Sequence, residues 1–241
     1  MPPGPVGISP GLSTLVEPGG APVPDDAAIA DRYDRSSLAG DFMATIAGQT
    51  EADWLRRAPD MRCEFIDGIV SMPSCAGHEP PEDVNLILFL VNYYHAIRPG
   101  GSIATGPAVP KFRDDCRLEP DLFLVPDAVQ VRLREERVDR PPVLLVVEVL
   151  GRSNRCHDLG IKARLYREAQ GDEIWSVDRA DRVVIVERRG PAGYVMERVE
   201  VGPAWRRSLP GIWGDAAWRW ADPPANSLTC TNAILAGPPG A

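Results

Sequence analysis

The sequence predicts an α/β (α+β) domain, a mixed central β-sheet flanked by helices. Three observations predict it. "PPVLLVVEVL" (residues 141–150) is an aliphatic run of strand length, the pattern of a strand covered on both faces. "HDLGIKARLYREAQGD" (157–172) follows almost at once and reads as a helix closed by a glycine. "EIWSVD", "RVVIVER" and "GYVMERVEV" (173–201) then give three further strand runs, the first two or three antiparallel. The order along the chain is helix, hairpin, helix, strands, helix, strands, which suits mixed α and β layers around one core.

Taken in order, residues 1–45 are rich in proline and glycine and lack periodicity, so they are read as a disordered leader. The domain is expected over 46–221. "TEADWLRRAP" (50–59) sets Thr50 three residues before Asp53, a capped helix start. "MRCEFIDGIVSMP" (61–73) alternates about Asp67-Gly68, a hairpin turn. "PPEDVNLILFLVNYYHAIRPGG" (80–101) opens with prolines and acids, ends in glycine, and repeats Val84, Leu88, Val91 and His95 at helical spacing. "SIATGPAVPKF" and "RLEPDLFLVPD" read as strands. Asp158 is a candidate N-cap and Gly171 the stop of the helix that follows residue 150. From residue 222, "DPPANSLTCTNAILAGPPGA" reads as a flexible tail.

At 241 residues the chain is long enough for one sizeable core and short for two. Its net charge of −8 argues against a general nucleic-acid coat, although residues 1–45, with six acids and two arginines, hold −4 of it. No apolar run approaches the ~20 residues that span a bilayer, and the first residues are not a secretory signal. Five cysteines with no CxxC spacing are expected to be reduced thiols in a cytoplasm. Basic residues are nearly all arginine; Lys111 and Lys162 are the two lysines. A compact ammonium differs from a guanidinium in catalysis far more than on a surface.

Glu148 is the one charge inside the most aliphatic strand. Such a group is costly unless paired or bound to a cation. Reaching solvent or an arginine at the strand end would satisfy it equally. Asp121, after Pro120, stands at the margin of a second aliphatic run. Side by side, the two carboxylates would repel unless a cation lay between them, and would suit Mg²⁺ or Mn²⁺. Asp158 and Lys162 share a helix face at i, i+4, a surface pair or an ammonium turned back toward the end of the Glu148 strand.

These segments in this order, "CEFIDGIV", His78, "EPDLFLV", "VVEVLGRSN", "HDLGIKARLY", "EIWSVD" and "SLPGIW", resemble the Uma-two family of restriction endonucleases, a branch of the PD-(D/E)XK nuclease superfamily. The resemblance runs from about Trp54 to Trp220 and implies a restriction-endonuclease-like core. It implies that Asp121 is the aspartate of the PD motif and Glu148 the (D/E) position, both metal ligands, and that Glu64 is an early glutamate completing the acidic site. The superfamily's lysine two residues on is Leu150 here, so Lys162 on the helix would fill its role. Asp158 would back the site or cap the helix, and His78 would touch phosphate or line the rim. Gly151 stands where relatives often have serine, with Ser153 as a substitute cap.

Other signals are weaker. Cys63, Cys75 and His78 lack a fourth zinc ligand. Cys156-His157 are sequence neighbours that point apart at a helix start, and are set aside as a catalytic pair. Trp205, Trp213, Trp218 and Trp220 stack on bases or seal a core equally well. Arg132, Arg134, Arg137 and Arg140 interleave with acids, as in a solvated loop or a phosphate-facing one. The expected function is a Mg²⁺- or Mn²⁺-dependent endonuclease hydrolysing DNA phosphodiester bonds. The alternative is a catalytically silent module of the same fold that binds nucleic acid or protein, which the acidic charge favours. DNA is the expected partner, a homodimer is open, and no membrane is expected.

Overall fold

The computed structural model describes residues 43–57, 63–73, 85–90, 102–105, 109–126, 128–129, 139–151, 154–202, 213–223 and 225–237. Two sheets are built from them. The larger has six strands: β4 (Ser102–Thr105), β7 (Leu122–Val125), β8 (Leu145–Leu150), β9 (Glu173–Asp178), β10 (Val183–Gly190) and β11 (Gly193–Val199). Its order is β11-β10-β9-β8-β7-β4. β8 and β9 pair in parallel and the other neighbours antiparallel, so the expected mixed sheet is present. The aliphatic run is an interior strand, between β7 and β9, as its lack of alternation requires.

The smaller sheet has five strands, β1 (Met43–Ile46), β2 (Glu64–Ile66), β3 (Ile69–Pro73), β5 (Lys111–Arg113) and β6 (Cys116–Arg117), in the order β1-β3-β2-β6-β5. The Asp67-Gly68 hairpin joins β2 to β3. Both turn residues have positive φ, 47° and 83°, as this tight turn demands. This second sheet was not expected. β5 and β6 are three and two residues long, too short for an alternation to register, and "SIATGPAVPKF" divides between the two sheets as β4 and β5.

Helix α1 (Glu51–Arg57) carries the predicted cap. Thr50 N–H and Oγ1 donate to Asp53 Oδ2 at 2.8 and 2.7 Å, and Asp53 N–H donates back to Thr50 Oγ1. Residues 85–90 form helix α2, with Ile87 and Leu90 buried; Val84, Val91 and His95 lie outside the described residues. Helix α3 runs continuously through Arg155–His157, a π-helical turn Asp158–Lys162 and Ala163–Glu168. Its stop is made by Gln170, at φ 60°, with Gly171 next: Gly171 N–H returns to Tyr166 O.

The tail expectation needs correction. Ser227–Ala236, within the segment read as flexible, forms helix α4, capped by Asn226 and burying Cys230, Thr231 and Ile234. The prolines and glycines at both ends of the segment hid a ten-residue helix whose apolar side reaches the core.

Strand alternation divides the core. On one face of the large sheet, Leu145 and Val147 of β8 meet α2 and α4 in a cluster with Trp175, Val184 and Ile234. On the other, Val146 joins Leu165 and Tyr166 of α3 and Ile66, Phe112 and Leu118 of the small sheet region. Glu148 has the parity of Val146. The pleat therefore aims it at α3 and the small sheet, not at solvent. Among the described residues no helix is long and apolar enough to cross a membrane.

Candidate active site

Antiparallel pairing of β7 and β8 aligns Leu122 with Val147, which sets Asp121 beside Glu148 at one end of the large sheet. Val149 N–H donates to Asp121 Oδ2 at 2.7 Å, so the aspartate is fixed to the neighbouring strand by its backbone. Glu148 is 2% exposed. It is satisfied from α3: Tyr166 donates its hydroxyl to Oε1, and Lys162 Nζ lies 2.8 Å from the same oxygen.

Lys162 is the hub. Its ammonium also lies 2.9 Å from Glu64 Oε1 and 3.2 Å from Asp158 Oδ1, and it donates to the Glu119 carbonyl at 3.3 Å. At 4% exposure this is a buried cation held by three carboxylates, the arrangement a buried charge requires. Asp158, Lys162 and Tyr166 recur at four-residue intervals and form one stripe of α3 directed at β8. Within it, Ala163 N–H donates to Asp158 O, five residues back, which defines the wide π turn. Such turns are rare and concentrate at functional sites.

Glu64 comes from the other sheet, on β2. Glu119 N–H donates to its Oε1 at 3.0 Å, and His157 Nε2 lies 2.7 Å from its Oε2. Burial opposes its charge, but Lys162 and His157 outweigh that and hold the carboxyl down at about 2. Glu148 behaves oppositely. Burial pushes it well above the usual carboxylate range against the attraction of Lys162, and the negative neighbours Asp158 and Asp121 add to the rise. Burial likewise lifts Asp158 to about 6 against Lys162 and His157. Burial disfavours the charged ammonium of Lys162, yet Asp158, Glu148 and Glu64 together raise it well above the ordinary lysine value.

The structure therefore brings Asp121, Glu148, Lys162, Glu64 and Asp158 into one cluster. Asp158 is not the N-cap that was expected: Asn154 holds that position, and Asp158 is one turn inside the helix with 1% exposure. His78, Cys75 and Ser153 lie outside the described residues, as do Arg132, Arg134 and Arg137. Sequence reasoning passed over His157 and Tyr166. The continuing four-residue stripe from Asp158 through Lys162 marks Tyr166. Nothing local marks His157, because its partner lies on another sheet.

The acids present are of the chemical kind a hard divalent cation takes. Glu64, Asp121, Glu148 and Asp158 are oxygen donors, Lys162 is the one ammonium among them, and Asp158 Oδ2 is buried with no hydrogen-bond partner among the described residues. Among the described residues no three His, Cys, Asp or Glu side chains stand ready to enclose a metal.

The fold is shared with a solved structure. A protein described as a putative nuclease belonging to DUF820, from Anabaena variabilis, superposes with a TM-score of 0.54 at 12% identity, over 64% of this chain and 87% of that one. No curated protein matches the sequence. The model of the Uma2 family, described as a putative restriction endonuclease, matches residues 50–217, which include every member of the cluster above. The chain thus belongs to the Uma2 (Uma-two) family and has its nuclease-like fold.

Proposed function

We propose that the protein is a metal-dependent endonuclease that hydrolyses DNA phosphodiester bonds. The observation that carries this reading is the buried Lys162 ammonium held against Glu148 at the end of two strands that also present Asp121. A buried carboxylate is costly unless paired, and here the pairing sets an ammonium beside two strand-end acids, the grouping the family resemblance implies for a nuclease site. Asp121 and Glu148 would hold Mg²⁺ or Mn²⁺, with Glu64 as the third acid the family resemblance implies. A bound ion supplies Lewis-acid activation of water and neutralises charge on the scissile phosphate.

The chain's own residues do the rest. The Val149 N–H and the Tyr166 hydroxyl fix the orientation of Asp121 and Glu148 before substrate arrives, so little reorganisation accompanies the reaction. Lys162 offers a positive charge at a fixed point, where it orients the attacking water or faces the charge developing on the phosphate. Its protonated state is secured by three carboxylates, so it acts as a charge and hydrogen-bond donor, not as a base. Glu64, itself held by His157, pairs with the ammonium from the small sheet.

The test is cleavage of plasmid and linear duplex DNA with Mg²⁺ or Mn²⁺, by the wild type and by Asp121→Ala and Lys162→Ala. Metal-dependent cleavage lost in both variants is expected; full activity in either would remove the assignment. The net charge of −8 favours a second reading, a module that binds without turnover. No cleavage, together with no thermal stabilisation by Mg²⁺, would select it.

A further inference from the structure

Strand direction decides what stands beside the acidic cluster. β8 and β9 run parallel, and β7 and β10 run against them. The ends of β8 and β9, the start of β10 and the end of β11 therefore lie at one end of the large sheet, the end that carries Asp121 and Glu148. The turn 179–182, which joins β9 to β10, hangs over that end and is pinned to the site helix. Arg155, in the first turn of α3, donates to Asp178 Oδ2 at 2.8 Å and to Asp181 Oδ2, and Asp181 N–H donates to Asp178 Oδ1 at 3.1 Å. The turn is thus positioned before any ligand arrives.

The charges here differ from those on the rest of the described surface. Elsewhere, arginines are paired with neighbouring acids: Arg56 with Asp53, Arg113 with Asp67, Arg140 with Asp114, Arg164 with Glu168 and Arg189 with Asp172. Arg182, in the turn, and Arg198, on β11, are exposed, and neither guanidinium has an ion pair or hydrogen bond among the described residues. The acids next to them in sequence are engaged, Asp181 with Arg155 and Glu197 with Arg188. Arg198 is in register with Ile185, which packs with Leu150 and Leu159. Residues directly opposite across two strands share a face, so Arg198 stands on the α3 face, the face of Glu148.

Neighbouring strands lie ~4.8 Å apart, which puts β10 ~10 Å and β11 ~14 Å to the side of β8. Duplex DNA carries one negative charge per ~1.7 Å of its axis. A duplex with one phosphate at the cluster therefore lays others over both arginines. The cluster, four carboxylates around one ammonium, does not attract a polyanion by itself.

We infer that Arg182 and Arg198 are the backbone-phosphate contacts of the site, holding duplex DNA across the β9–β10 turn toward β11. They fix where the duplex lies and carry no base readout. This rests on the DNA-cleaving reading above for the identity of the ligand, and its test needs no turnover.

The experiment is fluorescence anisotropy of a labelled phosphorothioate duplex with the full chain, in EDTA and in Mg²⁺, between about 50 and 200 mM salt. The proteins are the wild type, Arg182→Gln, Arg198→Gln, the double variant and, as a control, Arg189→Gln, whose guanidinium is paired at the opposite end of β10. Circular dichroism and thermal melting report folding. Each single variant is expected to lower the slope of log affinity against log salt by about 0.9, and the double variant by about 1.8. The weakening should be the same for duplexes of unrelated sequence, and Arg189→Gln should match the wild type. Cleavage of plasmid DNA is measured on the same proteins. Wild-type affinity and slope in the double variant overturn the inference, and cleavage by the wild type in that case leaves the nuclease reading intact. A lowered slope with no cleavage by any protein supports the phosphate contacts and removes the nuclease reading. No duplex binding by the wild type in either condition overturns the inference outright.

Discussion

Lys162 Nζ and Glu148 Oε1 lie 2.8 Å apart between helix α3 and strand β8, both almost wholly buried. Because the ammonium serves Glu64 and Asp158 as well, its removal leaves three carboxylates facing one another. Lys162→Met is expected to destabilise the protein by about 3–5 kcal/mol at pH 7, the range for breaking a buried ion pair from one side. The loss should shrink near pH 5, where the carboxylates can take up protons instead. Urea unfolding at the two pH values checks this; an equal loss at both would mean the carboxylates are not the cause.

Tyr166→Phe keeps the ring, which packs edge-on against Phe112 at 5.1 Å, and removes the hydroxyl on Glu148. A hydrogen bond to a buried charge is worth roughly 1.5–3 kcal/mol. The melting temperature should fall accordingly, and cleavage should drop without vanishing. A variant with unchanged stability and unchanged rate would remove Tyr166 from the site.

The titration of two acids runs in opposite directions. Glu64, held at about 2, adds stability that is present above its unfolded value near 4.5 and lost as pH falls toward 2. Asp158, lifted to about 6, binds its proton more tightly in the folded chain, so stability falls as pH rises from near 4 to 6, by on the order of 2–3 kcal/mol. In EDTA, Glu64→Gln should flatten the acid limb below pH 4.5, and Asp158→Asn should flatten the slope between pH 4 and 6. Chemical denaturation across pH 2.5–7.5 measures both slopes.

Mg²⁺ or Mn²⁺ should raise the melting temperature of the wild type, by about 2.7 kcal/mol of stability at a hundredfold excess over the dissociation constant. Glu148→Gln should abolish the response. A differential scanning fluorimetry series decides it, and an undiminished shift in the variant would place the ion elsewhere.

Helix α4 gives a prediction unrelated to chemistry. Ile234 is 7% exposed within the core face that also carries Trp175 and Val184. Ile234→Ala is expected to cost about 2–5 kcal/mol, where a residue in a loose tail would cost nothing measurable in thermal melting.

Much of this was legible in the residues. The Asp67-Gly68 turn, the Thr50–Asp53 cap and the interior position of the 141–150 run follow from local pattern, and those elements formed as read. Asp121, Glu148 and Lys162 stood out because a charge in an aliphatic run, or a lysine in an arginine-rich chain, is an anomaly visible without coordinates. What stayed hidden was non-local. β6 exists because β2 offers it an edge, and β5 because β6 does, not because their sequence alternates. α4 is a helix because the large sheet has a face to cover. His157 was dismissed with its neighbour Cys156, and only the arrival of Glu64 from a distant hairpin gives its ring a partner. Asp158 read as a cap by spacing alone, and the extra residue of the π turn is not written in any periodicity.

Glu64 belongs to the small sheet, Asp121 and Glu148 to the large one, and Lys162 to the helix that touches both. The ammonium is therefore a rivet between two separately hydrogen-bonded layers. A chain in which only one layer has formed has nowhere to seat it, so the cluster cannot precede the docking of the sheets. Maturation of the fold and assembly of the cluster are one event.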